Sequence, residues 1–169
     1  MQGIPQETAR VLVQRYRQAL GTNLVALAFF GSRARGEERE DSDLDVLLLA
    51  LDLPAHPLER NRLVYEPIQD WREKPCAISI LARTVEEFTA DITPLHLDLA
   101  VDAIIFYDLQ GFLEEKLRRV REIVAEARLV RERDTHGIPA RWWEKGAEPS
   151  GRWAITWAGV QSCRMKSVR

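Results

Sequence analysis

An α/β or α+β domain is the architecture this chain predicts, and three observations predict it. Apolar runs at residues 24–30, 46–51, 76–81 and 103–107 have the length of strands, and turn-forming or charged residues bound them. Between them lie segments whose apolar residues recur every three or four positions, the spacing of a helix that buries one face. The 169 residues suffice for one domain with a modest core, and 46% hydrophobic with 30% charged residues is ordinary for a globular chain. Periodicity alone also permits a doubly wound parallel sheet.

Residues 5–20 read as the first helix. Pro5 suits a first turn, Gly21 suits a C-terminal stop, and Val11, Leu12, Tyr16, Ala19 and Leu20 recur at helical spacing. Arg10, Arg15 and Arg17 take its polar side and are expected in solvent. The run at 24–30 is a strand, Gly31-Ser32 a tight turn into a short helix or loop, and Asp43 opens the next strand, which runs to Leu51. Pro54 and Pro57 mark a loop, after which residues 58–73 predict a helix that Pro67 bends or splits. Residues 76–81 form a third strand. Thr84 follows as an N-cap with Glu87 completing a capping box. Residues 94–101 are helical and 103–107 form a fourth strand.

Residues 109–133 are the longest periodic segment. Leu113, Leu117, Val120, Val124 and Ala127 alternate spacings of four and three and draw one apolar stripe, expected to pack on its own domain. Residues 1–145 are therefore taken as the domain and 146–169 as a basic, Trp-containing tail. Residues 149–169 hold no Asp or Glu, but do hold Arg152, Arg164, Lys166, Arg169, Trp153 and Trp157. Basic and aromatic residues together can contact nucleotides, but a packed or weakly ordered tail is the simpler expectation.

Composition narrows the function. A net charge of −2 does not provide the broad basic face that duplex nucleic acid requires, though it leaves room for a local basic patch. Two cysteines far apart, Cys76 and Cys163, do not make a disulfide framework and fit a reducing compartment. Residues 1–7 lack the basic and apolar stretches of a secretory leader, and no apolar run approaches the roughly 18 residues that span a bilayer. A cytoplasmic protein without a membrane partner is expected. His56, His96 and His136 have no zinc-site spacing and are expected in loops or on the surface.

One segment carries chemistry. Gly31-Ser32-Arg33-Ala34-Arg35-Gly36 follows an apolar strand, and Asp41-Ser42-Asp43-Leu44-Asp45 opens the next. Residues two apart on a strand share a face, so Asp43 and Asp45 point together while Leu44 turns into the core. Two such carboxylates can converge on a hard cation that prefers oxygen ligands. Gly31 allows backbone to approach a ligand, and the N–H groups of a following helix attract phosphate. Ser42 is read as a turn residue that fixes entry into the strand.

The whole pattern, apolar strand, Gly-Ser, ten intervening residues and Asp-apolar-Asp, resembles the nucleotidyltransferase superfamily of the DNA polymerase beta type. Within it, the Arg-Ala-Arg-Gly filling and the Ser42-Asp43 pair resemble the minimal prokaryotic members. The resemblance is specific over residues 25–46 and looser from there to about Trp143. It implies a mixed sheet with helices packed against it, and transfer of a nucleoside monophosphate, AMP from ATP first among them, to a hydroxyl. It implies two Mg²⁺ ions, or Mn²⁺, held by Asp43 and Asp45 as catalytic ligands. Gly31 and Ser32 would then hold the β- and γ-phosphates, with Arg33 and next Arg35 as phosphate-facing cations.

Active relatives carry a third carboxylate on a strand beside the Asp-X-Asp strand. The run at 76–81 has none, and of the later acids Asp98, Asp102 and Asp108, Asp102 is the catalytic candidate by its place beside a strand. The resemblance also implies an alternative: a nucleotide-binding regulatory or antitoxin-like module that acts on a helical partner protein, with reduced or no catalysis.

Overall fold

A computed structural model of the chain describes residues 6–39, 42–71, 76–133, 139–144 and 153–162. The elements follow in the order α1 (Gln6–Leu20), β1 (Leu24–Phe30), α2 (Gly31–Arg35), β2 (Leu44–Ala50), α3 (Pro57–Tyr65), β3 (Ile78–Thr84), α4 (Val85–Ala90), α5 (Pro94–Asp102), β4 (Ile104–Asp108), α6 (Phe112–Glu126) and β5 (Leu129–Arg133), then β6 (Pro139–Glu144), β7 (Trp153–Thr156) and β8 (Gly159–Ser162). Two compact units contain them: residues 1–90 with 102–115, and residues 91–101 with 116–169.

The first unit is built on a mixed sheet in the order β3-β2-β1-β4. β2 runs antiparallel to β1, which needs only a short connection, and β4, far on in the chain, runs antiparallel to the other edge of β1. β3 runs parallel to β2, which demands a crossover, and α3 supplies it. A doubly wound parallel sheet is excluded by this topology, and the mixed sheet implied by the resemblance is what forms.

Alternation along the strands separates the two faces. Leu27 and Phe29 of β1, with Leu44, Val46 and Leu48 of β2, join one apolar core with Leu12 and Tyr16 of α1 and Val64 of α3. The Tyr16 hydroxyl donates to the Val64 carbonyl at 2.9 Å, and burial pushes its phenol well above the usual tyrosine range. Phe29 stacks on Phe106 of β4 with ring centroids 4.1 Å apart. Arg15 is not a solvated charge as expected: it donates to the Pro67 carbonyl at 3.0 Å and pairs with Asp70, tying α1 to the segment behind α3.

Pro67 acts as the sequence indicates. α3 ends at Tyr65 and a 3₁₀ turn, Glu66–Ile68, continues the chain. The capping box is present: Thr84 Oγ1 accepts from the Glu87 N–H, and the Glu87 carboxylate accepts from the Thr84 N–H, both at 3.0 Å. Arg60 also pairs with Glu87 and holds its carboxyl below the usual range.

The long helix expected over residues 109–133 is corrected. α6 starts at Phe112, where the Asp108 carboxylate caps it by accepting from the N–H groups of Leu113 and Glu114, each at 2.9 Å. It ends at Glu126, because Arg128 adopts a left-handed φ of 51° that no helix continues through. Leu129–Arg133 then pairs antiparallel with Pro139–Glu144.

In the second unit, Asp98 accepts from Arg131 at 3.1 Å and from the Trp142 indole N–H at 2.9 Å. His96 is buried in α5, against the expectation of a loop or surface histidine, because its Nδ1 accepts from the Thr93 N–H at 3.1 Å and closes the first turn. Its ring meets the edge of Trp157, in the β7–β8 hairpin. The tail thus contributes two paired strands, whereas His136, Arg152, Arg164, Lys166 and Arg169 lie outside the described residues. Among the described residues no helix is long and apolar enough to cross a membrane.

Candidate active site

The site is assembled where β1 hands over to α2 and β2 begins. Phe30, the last residue of β1, pairs with Asp45 in the antiparallel register. The next residue, Gly31, therefore falls beside the Asp45 side chain. It adopts φ of 76°, a left-handed conformation that residues with a Cβ rarely take. A Cβ placed there would lie inside the Asp45 carboxylate, 3.0 Å from Cγ and closer still to Oδ2. Only glycine lets that carboxylate rest against the backbone of the turn.

α2 has Phe30 at its N-cap, and that residue makes no side-chain cap bond to the first turn. At its other end, Gly36 takes φ of 70°, and the Glu37 N–H reaches back to the Ser32 carbonyl at 2.9 Å. The connection to β2 is tied down by Ser42. Its hydroxyl accepts from the Arg39 N–H at 2.8 Å and its carbonyl from Arg33 Nε at 2.8 Å. Ser42 is thus the turn residue the sequence indicates. Arg33 spends one donor on the loop instead of presenting its whole guanidinium outward.

β2 begins at Leu44, so Asp43 lies one residue ahead of the strand. Leu44 is buried in the core, Asp45 is half-buried and Asp43 is exposed. Burial, and then the nearby charge of Asp43, raise the Asp45 carboxyl above the ordinary aspartate range, with Arg35 pulling in the other direction. The two carboxylates therefore feel one another, and Arg35 is within electrostatic reach.

Arg35 is enclosed by carboxylates. Its Nε donates to Glu37 at 2.6 Å and its Nη1 to Asp102 at 3.3 Å. Asp102 is the last residue of α5, not a strand residue, and its side chain is 6% exposed. The structure thus links Asp102 to the site through Arg35. The other later acids are engaged elsewhere: Asp108 caps α6 and Asp98 holds Arg131 and Trp142.

Sequence reasoning missed Ser79. It stands opposite Asp45 in the parallel β2–β3 register. The segment 76–81 contained the signal, but only the register shows which of its residues faces Asp45. Among the described residues no group of three His, Cys, Asp or Glu side chains converges as a metal cage.

The comparisons with known proteins bear on this geometry. The profile of the nucleotidyltransferase domain matches residues 10–133. MJ1305 of Methanocaldococcus jannaschii, named for a proposed protein adenylyltransferase activity, is 28% identical over 114 residues, 66% of this chain and 78% of that protein. A toxin–antitoxin structure with AMP-PNP superposes with a TM-score of 0.51 at 14% identity, over 71% of this chain and 89% of the matched one. Spectinomycin adenyltransferase AAD(9) from Enterococcus faecialis, with ATP and spectinomycin, gives 0.54 at 14% identity, over 73% and 66%. The structural matches concern the fold alone. The matched span begins within α1, ends with β5 and includes the mixed sheet and the whole Gly31-to-Asp45 segment; on it the chain belongs to the nucleotidyltransferase domain family, enzymes that transfer a nucleoside monophosphate.

Proposed function

We propose that this protein transfers AMP from ATP to a hydroxyl group of a protein acceptor, with Mg²⁺ bound at Asp43 and Asp45. One observation carries the proposal: the Asp45 carboxylate rests against the Gly31 backbone with the Asp43 charge beside it, next to the first turn of α2. That arrangement sets carboxylates for a cation next to backbone donors for phosphate.

The residues fit a divalent ion. Mg²⁺ is commonly held by one or two carboxylates, with substrate phosphates and water completing its shell. Burial, and after it the Asp43 charge, raise the Asp45 carboxyl, and a cation held there would offset both. Held by Asp43 and Asp45, such an ion would supply stabilisation of the charge on the attacking and leaving oxygens, and Mn²⁺ has the same ligand preference. Gly31 and Ser32 would receive the β- and γ-phosphates through backbone N–H groups and the Ser32 hydroxyl. Arg33 keeps donors beyond its bond to Ser42 and is the nearer phosphate-facing cation. Arg35, held by Glu37 and Asp102, is better suited to setting the charge around Asp45. The protein acceptor is supported by the name of the 28% identical relative. ATP as donor and the free thiol of Cys76 fit a cytoplasmic setting.

A second reading, an antitoxin-like module that binds nucleotide and covers or modifies a helical partner, is favoured by the toxin–antitoxin structure that shares the fold. One experiment separates them. With ATP labelled at the α-phosphate and Mg²⁺, transfer predicts protein-bound label and released pyrophosphate, while γ-phosphate label stays off protein. Mg²⁺-dependent ATP binding without label transfer to any added protein would instead favour the module.

A further inference from the structure

Resting on the transfer reading above, we infer that the outer edge of β3 receives an extended segment of the acceptor protein, added to the sheet as a fifth, parallel strand.

β3 is an edge strand, paired on one side only. The Leu44 N–H donates to the Ala77 carbonyl, so in the parallel register the backbone groups of residues 77, 79, 81 and 83 turn toward β2. Those of Ile80 and Ala82 turn outward. Side chains stand in for a missing strand along this edge. The Tyr65 hydroxyl accepts from the Ile80 N–H at 3.0 Å, Arg83 Nη1 donates to the Ala82 carbonyl at 3.1 Å, and the Glu87 carboxylate accepts from the Thr84 N–H. Between them lie the Ile80 carbonyl and the Ala82 N–H, without a partner among the described residues.

One residue of a parallel strand takes both of these groups, donating to Ile80 and accepting from Ala82. An antiparallel strand would need both groups of a single residue, and on Ile80 and on Ala82 one is already bonded. The register follows. The incoming residue lies beside Leu81, and the residue two before it lies beside Ser79, where its carbonyl would take over the Ile80 N–H from Tyr65. Ser79 pairs with Asp45, while Ile78 and Ile80 pack against the core cluster with Val46, so this row projects on the face opposite that core. A hydroxyl-bearing side chain there starts about 10 Å from the Asp45 backbone, two strand spacings away. Transfer to it would join its oxygen to the α-phosphorus, release pyrophosphate and leave the proton to solvent.

The surroundings set the chemistry of the segment. The edge opens on a groove of about 370 Å³ between β3 and Asn61, Val64 and Tyr65 of α3. At its far end Glu87 faces both Arg60 and Arg83, which leaves one net positive charge. Alternate residues of an added strand enter this groove, an apolar one beside Ile80 and an acidic one beside Ala82.

Titrating the ¹⁵N-labelled full chain, without nucleotide, with the peptide acetyl-Thr-Tyr-Val-Thr-Glu-Val-amide tests this by nuclear magnetic resonance. The Ala82 amide proton should shift downfield while the β4 amides stay in place. Methylating the backbone nitrogen of the second Thr, the donor to Ile80, should weaken binding about three- to tenfold. Ala82→Pro loses only an outward N–H, which an edge strand tolerates, and should weaken the peptide similarly with Mg²⁺-dependent ATP binding unchanged. If that variant does not fold by circular dichroism, the methylated peptide on the native chain still decides. An unmoved Ala82 amide, shifts centred on β4, or equal affinity for the methylated peptide would overturn the inference. Docking as expected beside failure of the α-phosphate label experiment defeats the transfer reading alone, whereas label transfer to protein with no response at Ala82 defeats only the docking.

Discussion

Asp45→Asn should lower nucleotidyl transfer by about two to three orders of magnitude while leaving the protein at least as stable as before. The two effects share one cause. Asp45 is half-buried beside Gly31 and near Asp43, and both burial and the neighbouring charge hold its carboxyl above the ordinary range. Ionised Asp45 therefore costs the fold something, and asparagine of the same shape does not incur that cost. The sign follows from the shift. A raised folded-state value means that stability is fully present below the unfolded aspartate value near 3.9 and is lost as pH rises through the folded one. The advantage of Asn should therefore be absent in acid, grow as pH rises from the unfolded to the folded value, and stay level above it. Thermal unfolding of both proteins across pH measures it, beside a transfer assay at neutral pH. An Asn variant that still transfers AMP would remove Asp45 from the machinery. A variant less stable than native at neutral pH would contradict the origin of the shift.

Gly31→Ala should be nearly as damaging as Gly31→Val. The obstacle is the Cβ itself, which lands on the Asp45 carboxylate, and both residues have one. Left-handed backbone costs roughly 1–2 kcal/mol for a residue with a Cβ, and the Asp45 carboxylate must also swing aside to make room. Once it does, the metal and phosphate groups lose their alignment. Denaturant unfolding should show a loss of about 1–2 kcal/mol, and Mg²⁺-dependent ATP binding should fall by more than that loss accounts for. If the alanine variant binds ATP as the native protein does, the contact between Gly31 and Asp45 has no functional meaning. From sequence, the glycine was expected to leave room for phosphate. The structure adds that it leaves room for the carboxylate.

Much of this was legible from local pattern. The runs at 24–30 and 46–51 became strands because their apolar residues are continuous and the sheet buries both faces there. Pro67 and the Thr84–Glu87 pair act through backbone donors one turn away, which is why the sequence states them directly. Residues 109–133 misled because the apolar stripe carries on past the helix end, while the alternation in Leu129–Arg133 has meaning only once Pro139–Glu144 pairs with it. The site divides in the same way. Gly31, Asp43 and Asp45 lie close along the chain and could be placed together. Ser79 facing Asp45 depends on the register of a parallel pair made across α3, and Asp102 reaching Arg35 spans 67 residues. No spacing in the sequence announces either one.

Asp43, Asp45, Gly31 and Ser32 are proposed to form a single site for a metal-bound triphosphate. A crystal structure with AMP-PNP and Mn²⁺, using the anomalous signal of manganese to locate the ion, tests it most directly. Manganese is expected between the Asp43 and Asp45 carboxylates, with phosphate oxygens completing its shell and the β- and γ-phosphates against the Gly31-Ser32 backbone. Nucleotide bound elsewhere on the molecule, or manganese away from both aspartates, would contradict it.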